Sequence, residues 1–465
     1  VDRNPILDTD SYKLSHYLGY PPDVTNVYSY AESRGGEYPD VAFFGTQSLI
    51  KDKLCARVTD AHAEEAEHFC TAHGLPFNLS GWRAVIDDHE GQLPIEVCAL
   101  DEGTVVPVRT PLFTVENTDD RLPWLTSYVE TLALRHLWYS TSVCTRVFHM
   151  KREIADLWDK TAEGGRENPG MAFALLDFSS RGCAGYEANE LGGAAHLTHF
   201  MGSDSVPAIR YVNRLYGCDM AGFSVPASEH SIMCAWGKGL EEESFTYMLE
   251  HMVQPGGAPI LSIVADTWNV FEAAEYFARL APAAKRRGVT MVFRPDSGTP
   301  GEILPEVVPV IAAAYGSTVN SKGYHVLDGA KILWGDGINR HTHTAPLAEM
   351  IRLGFSVESI MTGSGGGLMQ ADLDRDTMKF AFKASAVKDS RGWRGIAKDP
   401  ITDPGKVSKK GRFAVIRDGN GGLHTVQATA GKPYPGSLLL PRYRNGLILN
   451  DTTLDEVRDR FEEAL

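Results

Sequence analysis

PILSIVADTWN (259–269), VTMVFRPDSG (289–298), AKILWGDGIN (330–339) and VESIMTGSGGG (357–367) share one pattern. Each is a short apolar run that ends in a polar or glycine-rich cluster and gives way to a helical pattern, as a β-strand feeding a βα loop does. Upstream, MAFALLDFSSRG (171–182), HLTHFMGSDS (196–205) and MAGFSVPASEH (220–230) have the same texture. Seven such units within about 200 residues predict an α/β fold whose parallel sheet closes into a (β/α) barrel. An open dinucleotide-binding sheet fits less well, because no G-x-G-x-x-G fingerprint opens the first unit.

Residues 1 to 165 read differently. Helical patterns over 60–74 and 124–158 mix with short β-like runs at 41–44, 95–99 and 112–115, which predicts an α+β domain. TAEGGRENPG (161–170) is the best linker candidate, and the turn-rich, charged tail from Lys388 is expected to return to the first domain. The expected organisation is therefore an α+β domain over 1–165 and 388–465, with an α/β barrel domain over 166–387.

The chain of 465 residues carries 45 Lys and Arg against 60 Asp and Glu, a net charge of −15, which argues against bulk binding to nucleic acid or anionic membranes. An anionic ligand would need a local cationic pocket. The seven cysteines (55, 70, 98, 144, 183, 218, 234) form no C-x-x-C pair, which fits reduced thiols in a cytoplasmic protein. VDRNPILDTDSYK at the amino end has neither a basic nor an apolar region of an export signal, and no stretch approaches the roughly 18 apolar residues of a membrane span. The expectation is a protein neither exported nor inserted, and Val1 suggests that residues once preceded it.

The predicted strand ends carry Asp177 with Arg181, Asp204, Glu229 with His230, Asp266, Arg294 with Asp296, Asp336, and Gly365 with Gly366. In a barrel these ends share the ligand-binding face. Any one acidic residue there reads equally well as the cap of the next helix, but seven clusters in succession do not all read as caps. In RPDSG (294–298) a guanidinium stands two residues from a carboxylate. Such a pair either holds a phosphorylated ribose from two sides, with Mg²⁺ as a partner of the carboxylate, or forms a plain structural ion pair. MTGSGGGLMQ offers glycine amides before a helical pattern, as phosphate loops after late barrel strands do, yet lacks the G-K-[ST] of a Walker loop. KDPITDPGKVSKKGR (398–412) holds five basic and two acidic residues, either a solvated loop or a phosphate-binding flap, with Arg375 and Lys383 as further basic candidates. His196/His199 and His341/His343 lack a third ligand at zinc spacing and read as structural or surface histidines.

DTDSYKLSHYLGYPP (8–22), VYSYAESRG (27–35), LPIEV (93–97), LFTVENTD (112–119), GFSVPASEHS (222–231), RPDSG, GDG, GSGGGL and the 398–412 segment occur in an order that resembles the nicotinamide phosphoribosyltransferases, members of the type II phosphoribosyltransferase family. The resemblance runs from about Asn4 to the last thirty residues. It implies a homodimer whose active sites lie at the mouth of an irregular (β/α) barrel and are completed by the partner. The implied reaction joins nicotinamide to phosphoribosyl pyrophosphate with Mg²⁺, giving nicotinamide mononucleotide and pyrophosphate in NAD salvage, with ATP as an activating co-substrate.

Carried onto this sequence, the resemblance puts nicotinamide between Phe178 and the partner copy's Tyr12, with Asp204 on the carboxamide. Arg181, His230 and Arg294 fall near pyrophosphate, and Asp296, Gly335 and Asp336 near ribose. Gly365 and Gly366 line the product phosphate, which Arg375 helps to bind. Arg34, Lys383, Lys398 and Lys406 supply basic contacts, partly across the dimer. His230 is the residue such enzymes phosphorylate from ATP, and a hydrogen bond from its ring to Asp266 or Asp296 would fix its tautomer. Without the resemblance, Phe178 and Tyr12 read as core packing. Ser179-Ser180 stands where the vertebrate proteins have Gly-Tyr, Trp334 where Gln is usual, and one extra residue lies between Gln370 and Arg375. Nicotinate phosphoribosyltransferase is the alternative reading, and Asp204 discriminates, since a carboxylate accepts from an amide and repels an acid. A non-catalytic extracellular signalling protein and a phosphate-binding barrel isomerase are further rivals. The first would not need the site residues, and the second would need neither the aromatic pair nor the basic segment.

Overall fold

The computed structural model describes residues 3–402, 406–429 and 434–465. Two compact units emerge: Val1–Thr145, Arg214–Cys218 and Asp372–Leu465 form one, and Arg146–Asn213 with Asp219–Ala371 form the other. The changeovers fall at 145/146 and 371/372, whereas the sequence pattern suggested 165/166 and 387/388. The helix Glu130–Thr161 continues through the first changeover without any shift in pattern, so nothing in the sequence marks it. At the second, the strand Phe380–Asp389 pairs with Asn26–Ser33 and so belongs to the first unit's sheet.

That first unit is built on a seven-stranded antiparallel sheet in the order Gly392–Gly395, Phe380–Asp389, Asn26–Ser33, Phe113–Asn117, Ile95–Ala99, Leu440–Arg444, Leu447–Ile448. The tail thus returns to the N-terminal part, as its composition suggested. Ile95–Ala99 buries Ile95, Val97 and Ala99 and half-exposes the residues between, the period-2 pattern of a strand with one face in a core. Asn26–Ser33, inside the sheet, is buried along its whole length. The helix Asp60–His73 turns Ala63, Ala66 and Cys70 inward; Thr59 and His62 cap its start reciprocally, and Gly74 ends it in the left-handed conformation. Trp82, Phe113, Trp124, Phe382 and Tyr443 fill the core.

In the second unit five parallel strands run Leu175–Asp177, Ile360–Ser364, Ala330–Trp334, Thr290–Arg294, Ile260–Val264. Parallel bridges Asp177↔Ser203, Gly202↔Phe223 and Ala227↔Ser262 join the two outer strands through the remaining two predicted units. The ring is therefore a closed barrel of seven staves, with helices such as Tyr186–Leu197, His230–Trp236 and Pro300–Tyr315 between them. The runs at 196–205 and 220–230 are not regular strands. His196 and Leu197 complete the helix Tyr186–Leu197, and Pro226 has no N–H to donate to a ladder, so these staves pair only at single points. Likewise 171–173 lie in a 3-10 turn, Pro169–Phe173, before the first strand. Among the described residues no helix is long and apolar enough to cross a membrane, and the seven cysteines are free thiols.

Candidate active site

Every predicted stave-end residue of the barrel falls at the C-terminal end of its stave, so the sequence clusters become one mouth. Phe178 follows Leu175–Asp177; its N–H donates to Ser364 O at 2.9 Å. A Cβ at Gly363 would sit 2.0 Å from Phe178 Cε2, so a glycine is required where the neighbouring stave passes the ring. The Arg294 guanidinium lies 5.1 Å from the Phe178 ring centre, within cation–π range. Asp204 is exposed, and its Oδ1 accepts from Ser224 Oγ at 2.6 Å. Phe178, Arg181, Asp204, Glu229 and Arg294 line one cleft, with a cavity of about 560 Å³, and Arg181, His230, Arg294 and Asp296 line an adjoining one.

His230 opens the helix His230–Trp236 and places Nε2 2.9 Å from Asp266 Oδ1. Of the two candidate carboxylates, Asp266 is the partner; its side chain is only 8 % exposed, that of His230 47 %. A carboxylate there accepts from Nε2–H, leaving the lone pair on Nδ1.

Asp296 instead engages Arg294 directly: Nη2 lies 3.0 and 3.1 Å from its two oxygens and Nε 3.3 Å from Oδ1. The two residues thus face each other as an ion pair, the second of the two arrangements that the RPDSG motif allows. A short carboxylate two residues along the chain falls within the fork of the guanidinium. A Cβ at Gly335 would stand 2.6 Å from Asp296 Oδ1, so this glycine admits the pair beside the GDG loop. Trp334, in the position usually held by Gln, is buried and donates Nε1–H to Asp336 O at 2.9 Å, bracing that loop from within. The glycine loop is followed by a single turn, Gly366–Met369, and a Cβ at Gly182 would stand 3.0 Å from Gly366 N.

Tyr12, Arg34, Arg375, Lys383, Lys398 and Lys406 belong to the first unit. Tyr12 is 58 % exposed on the 3-10 helix Ser11–Leu18. Lys383 stands opposite Tyr30 in the sheet. Burial pushes its ammonium pKa down, Glu130 partly offsets this, and Arg34, Lys398 and Arg375 push it further down. Arg34 Nε donates to Glu32 Oε1 at 3.2 Å, and Arg375 pairs with Asp376 at 3.0 Å. Lys398 and Lys406 are exposed, while Asp403, Pro404 and Gly405 of the same segment lie outside the described residues. His196, His199 and His343 are buried and His341 is exposed; among the described residues no group of three or more His, Cys, Asp or Glu is placed to hold a metal.

Ser224 and Gly363 were not singled out in the sequence, nor was the barrel's hollow interior. That cavity runs from Phe178 and Asp204 past Leu176, Val292 and Leu333 to Lys331, whose Nζ donates to Glu358 O at 2.5 Å. Burial pushes the Lys331 pKa down.

Two solved structures share this fold. Nicotinate-nucleotide pyrophosphorylase from Pyrococcus furiosus matches at a TM-score of 0.62 and 16 % identity over 100 % of this chain and 96 % of that one. Human nicotinic acid phosphoribosyltransferase matches at 0.59 and 17 % over 98 % and 93 %. These likenesses establish the fold alone. In sequence, the nicotinate phosphoribosyltransferase family profile matches residues 173–464, and the chain belongs to this family of phosphoribosyltransferases. The N-terminal domain of nicotinamide phosphoribosyltransferase matches residues 4–97. Relatives called nicotinamide phosphoribosyltransferase are 39 % identical in Xanthomonas campestris pv. campestris and 30 % in Acinetobacter baylyi, each over 99 % of this chain and 98 % of the relative.

Proposed function

We propose that the chain transfers the phosphoribosyl group of phosphoribosyl pyrophosphate to nicotinamide, releasing pyrophosphate and forming nicotinamide mononucleotide for NAD salvage. The observation that carries this reading is Asp204 in the same cleft as Phe178, Arg181 and Arg294. An aromatic face suits a flat, weakly polar ring, and a carboxylate accepts from a carboxamide N–H while repelling a nicotinate carboxylate. The pyridine nitrogen carries its own lone pair, so the nucleophile needs no general base. Catalysis then rests on positioning and charge. Arg181 and Arg294 take up charge on the departing pyrophosphate, and Asp296, released from Arg294 as substrate draws the guanidinium away, faces the developing positive charge on ribose. Gly335 and Asp336 border the ribose, and Gly365 and Gly366 the phosphate.

Asp296 and Asp336 suit Mg²⁺, which commonly takes one or two protein carboxylates and completes its shell with water and substrate phosphate. When bound, the ion would neutralise pyrophosphate charge. His230, with Nδ1 free to attack, is the proposed site of phosphorylation by ATP. Arg34, Arg375, Lys383, Lys398 and Lys406 form the proposed phosphate-binding group, and a second copy of the chain supplies Tyr12 to complete the ring sandwich.

Incubation of the purified protein with phosphoribosyl pyrophosphate and Mg²⁺, offering nicotinamide and nicotinate separately, tests the reading. The mononucleotide of nicotinamide is expected; formation of the nicotinate product alone would select the alternative. For the shared site, Tyr12→Ala and Phe178→Ala proteins are each expected to be poor alone and to regain activity as mixed dimers, which carry one intact site. Heterodimers without activity would refute it.

A further inference from the structure

The two stave ends that carry Phe178 and Asp204 are clasped to each other by a buried carboxylate that the mechanism above does not use. Asp177 is fully buried. Its Oδ1 accepts from Ser179 N at 2.8 Å and Ser179 Oγ at 2.6 Å, on the turn just after Phe178. Its Oδ2 accepts from Ser203 Oγ at 3.1 Å, the residue just before Asp204. The main chain adds Asp177 N–H to Gly202 O at 3.0 Å and Asp204 N–H to Asp177 O at 2.9 Å. A second tier repeats the arrangement one residue further out on one stave end and two on the other. Asn189, also buried, accepts on Oδ1 from Ser180 Oγ at 3.2 Å and from Ser205 Oγ at 2.9 Å. Ser205 N–H donates to Ser203 Oγ at 3.0 Å, tying the tiers together.

A buried carboxylate is costly unless its oxygens are satisfied, and here the donors come from both stave ends, so movement of either end strands an acceptor. The staves themselves share a single bridge, Asp177↔Ser203, with one further main-chain bond, Met201 N–H to Ala172 O at 2.7 Å, so the side-chain contacts add to a short ladder in holding their spacing at the mouth. We propose that Asp177, with Ser179, Ser203 and Asn189, is a positioning device that fixes the distance between the ring platform Phe178 and the carboxamide acceptor Asp204, and so sets affinity and selectivity for the base. The inference rests on the reading of Asp204 and Phe178 as the base site. A rigid heteroaromatic amide has to meet the stacking face and the hydrogen-bond acceptor at once, and a hydrogen bond weakens over a few tenths of an ångström. None of the four residues needs to touch the base.

The experiment compares Asp177→Asn, Ser203→Ala and Ser179→Ala with wild type in steady-state assays that vary each substrate, with nicotinate as the competing base. Asp177→Asn is expected to raise KM for nicotinamide roughly 10- to 100-fold and to lower the preference over nicotinate by a similar factor, with KM for phosphoribosyl pyrophosphate within about twofold. The serine variants are expected to do the same on a smaller scale, about three- to tenfold each, and non-additively when combined because they share one carboxylate. A variant that merely loses folded enzyme lowers kcat and leaves both KM values alone. That outcome, equal rises in both KM values, or unchanged base kinetics in the folded serine variants would overturn the proposal. Should Asp177→Asn not fold, the serine pair decides. Asp204→Asn run in parallel separates the two ideas: if it leaves base preference intact, the base-site reading fails; if it shifts preference while the serine variants do not, only the clasp fails.

Discussion

At the barrel mouth Arg294 faces Asp296, His230 faces Asp266 and Asp204 takes a hydroxyl from Ser224, whereas in the antiparallel unit Lys383 has Arg34, Lys398 and Arg375 as positive neighbours. In the first region each of these charges or acceptors has a close partner; in the second, three cations act on one buried ammonium, although Arg34 and Arg375 also have Glu32 and Asp376 as partners. Pairing keeps a cleft close to neutral and aims single polar atoms, which suits a neutral base and a sugar. Crowding stores electrostatic cost that a polyanion relieves on binding, which suits phosphates. In a chain of net charge −15, attraction for anions has to come from such local groups of cations.

Breaking the most consequential pair should have the largest effect. On the proposed role of ATP, the wild type is expected to hydrolyse ATP and to gain nicotinamide affinity in its presence, and His230→Ala to lose both while the fold persists, since the ring is half exposed. Acid-labile phosphate on the wild-type protein alone, after incubation with ATP, checks the assignment, and phosphate mapped to another residue refutes it. Next comes Asp204→Asn, which keeps shape and removes charge. Loss of a charge-assisted hydrogen bond, about 1.5–3 kcal/mol, corresponds to roughly 10- to 150-fold in nicotinamide-over-nicotinate specificity, read from kcat/KM for both bases.

The smallest effect probes the crowded region. Burial and like-charged neighbours lower the Lys383 pKa, so its charge is lost as pH rises earlier than for an ordinary lysine. KM for phosphoribosyl pyrophosphate should therefore climb on the alkaline side before lysines of ordinary pKa titrate. Bound phosphate favours the ammonium, so binding takes up protons in that window. Lys383→Met should flatten this limb and raise KM at neutral pH by about fivefold. An unchanged alkaline limb would remove Lys383 from the phosphate site.

Much of the barrel was legible because strands of a parallel sheet are buried on both faces and read as plain apolar runs, with their chemistry at the ends. Closure was not. HLTHFM is apolar whether it finishes a helix or starts a strand, and composition cannot say that only Gly202 and Ser203 pair. The stave-end residues were found from position and from resemblance. Ser224 and the Asp177 clasp were not, since their partners lie 20 and 26 residues away with no periodic signal. The pairing of Arg294 with Asp296 was one of two arrangements the RPDSG motif allowed. Lys383 became part of a cluster only through sheet register, which places it opposite Tyr30 in a strand whose partner is some 350 residues away in the chain.

A cylinder laced by ladders across five strands and pinned by single bridges at the other two staves parts first along its pins. Amide hydrogens at Ser203, Phe223 and Ser228, each held by a bond at such a crossing, should exchange with solvent ahead of those at Val292 and Leu333 in the laced wall. Phe178 and Asp204 stand at one of these crossings, so a ligand that spans them stitches the line where the barrel opens most readily. The protection it confers against exchange would spread along the seam while the opposite wall keeps its own rate.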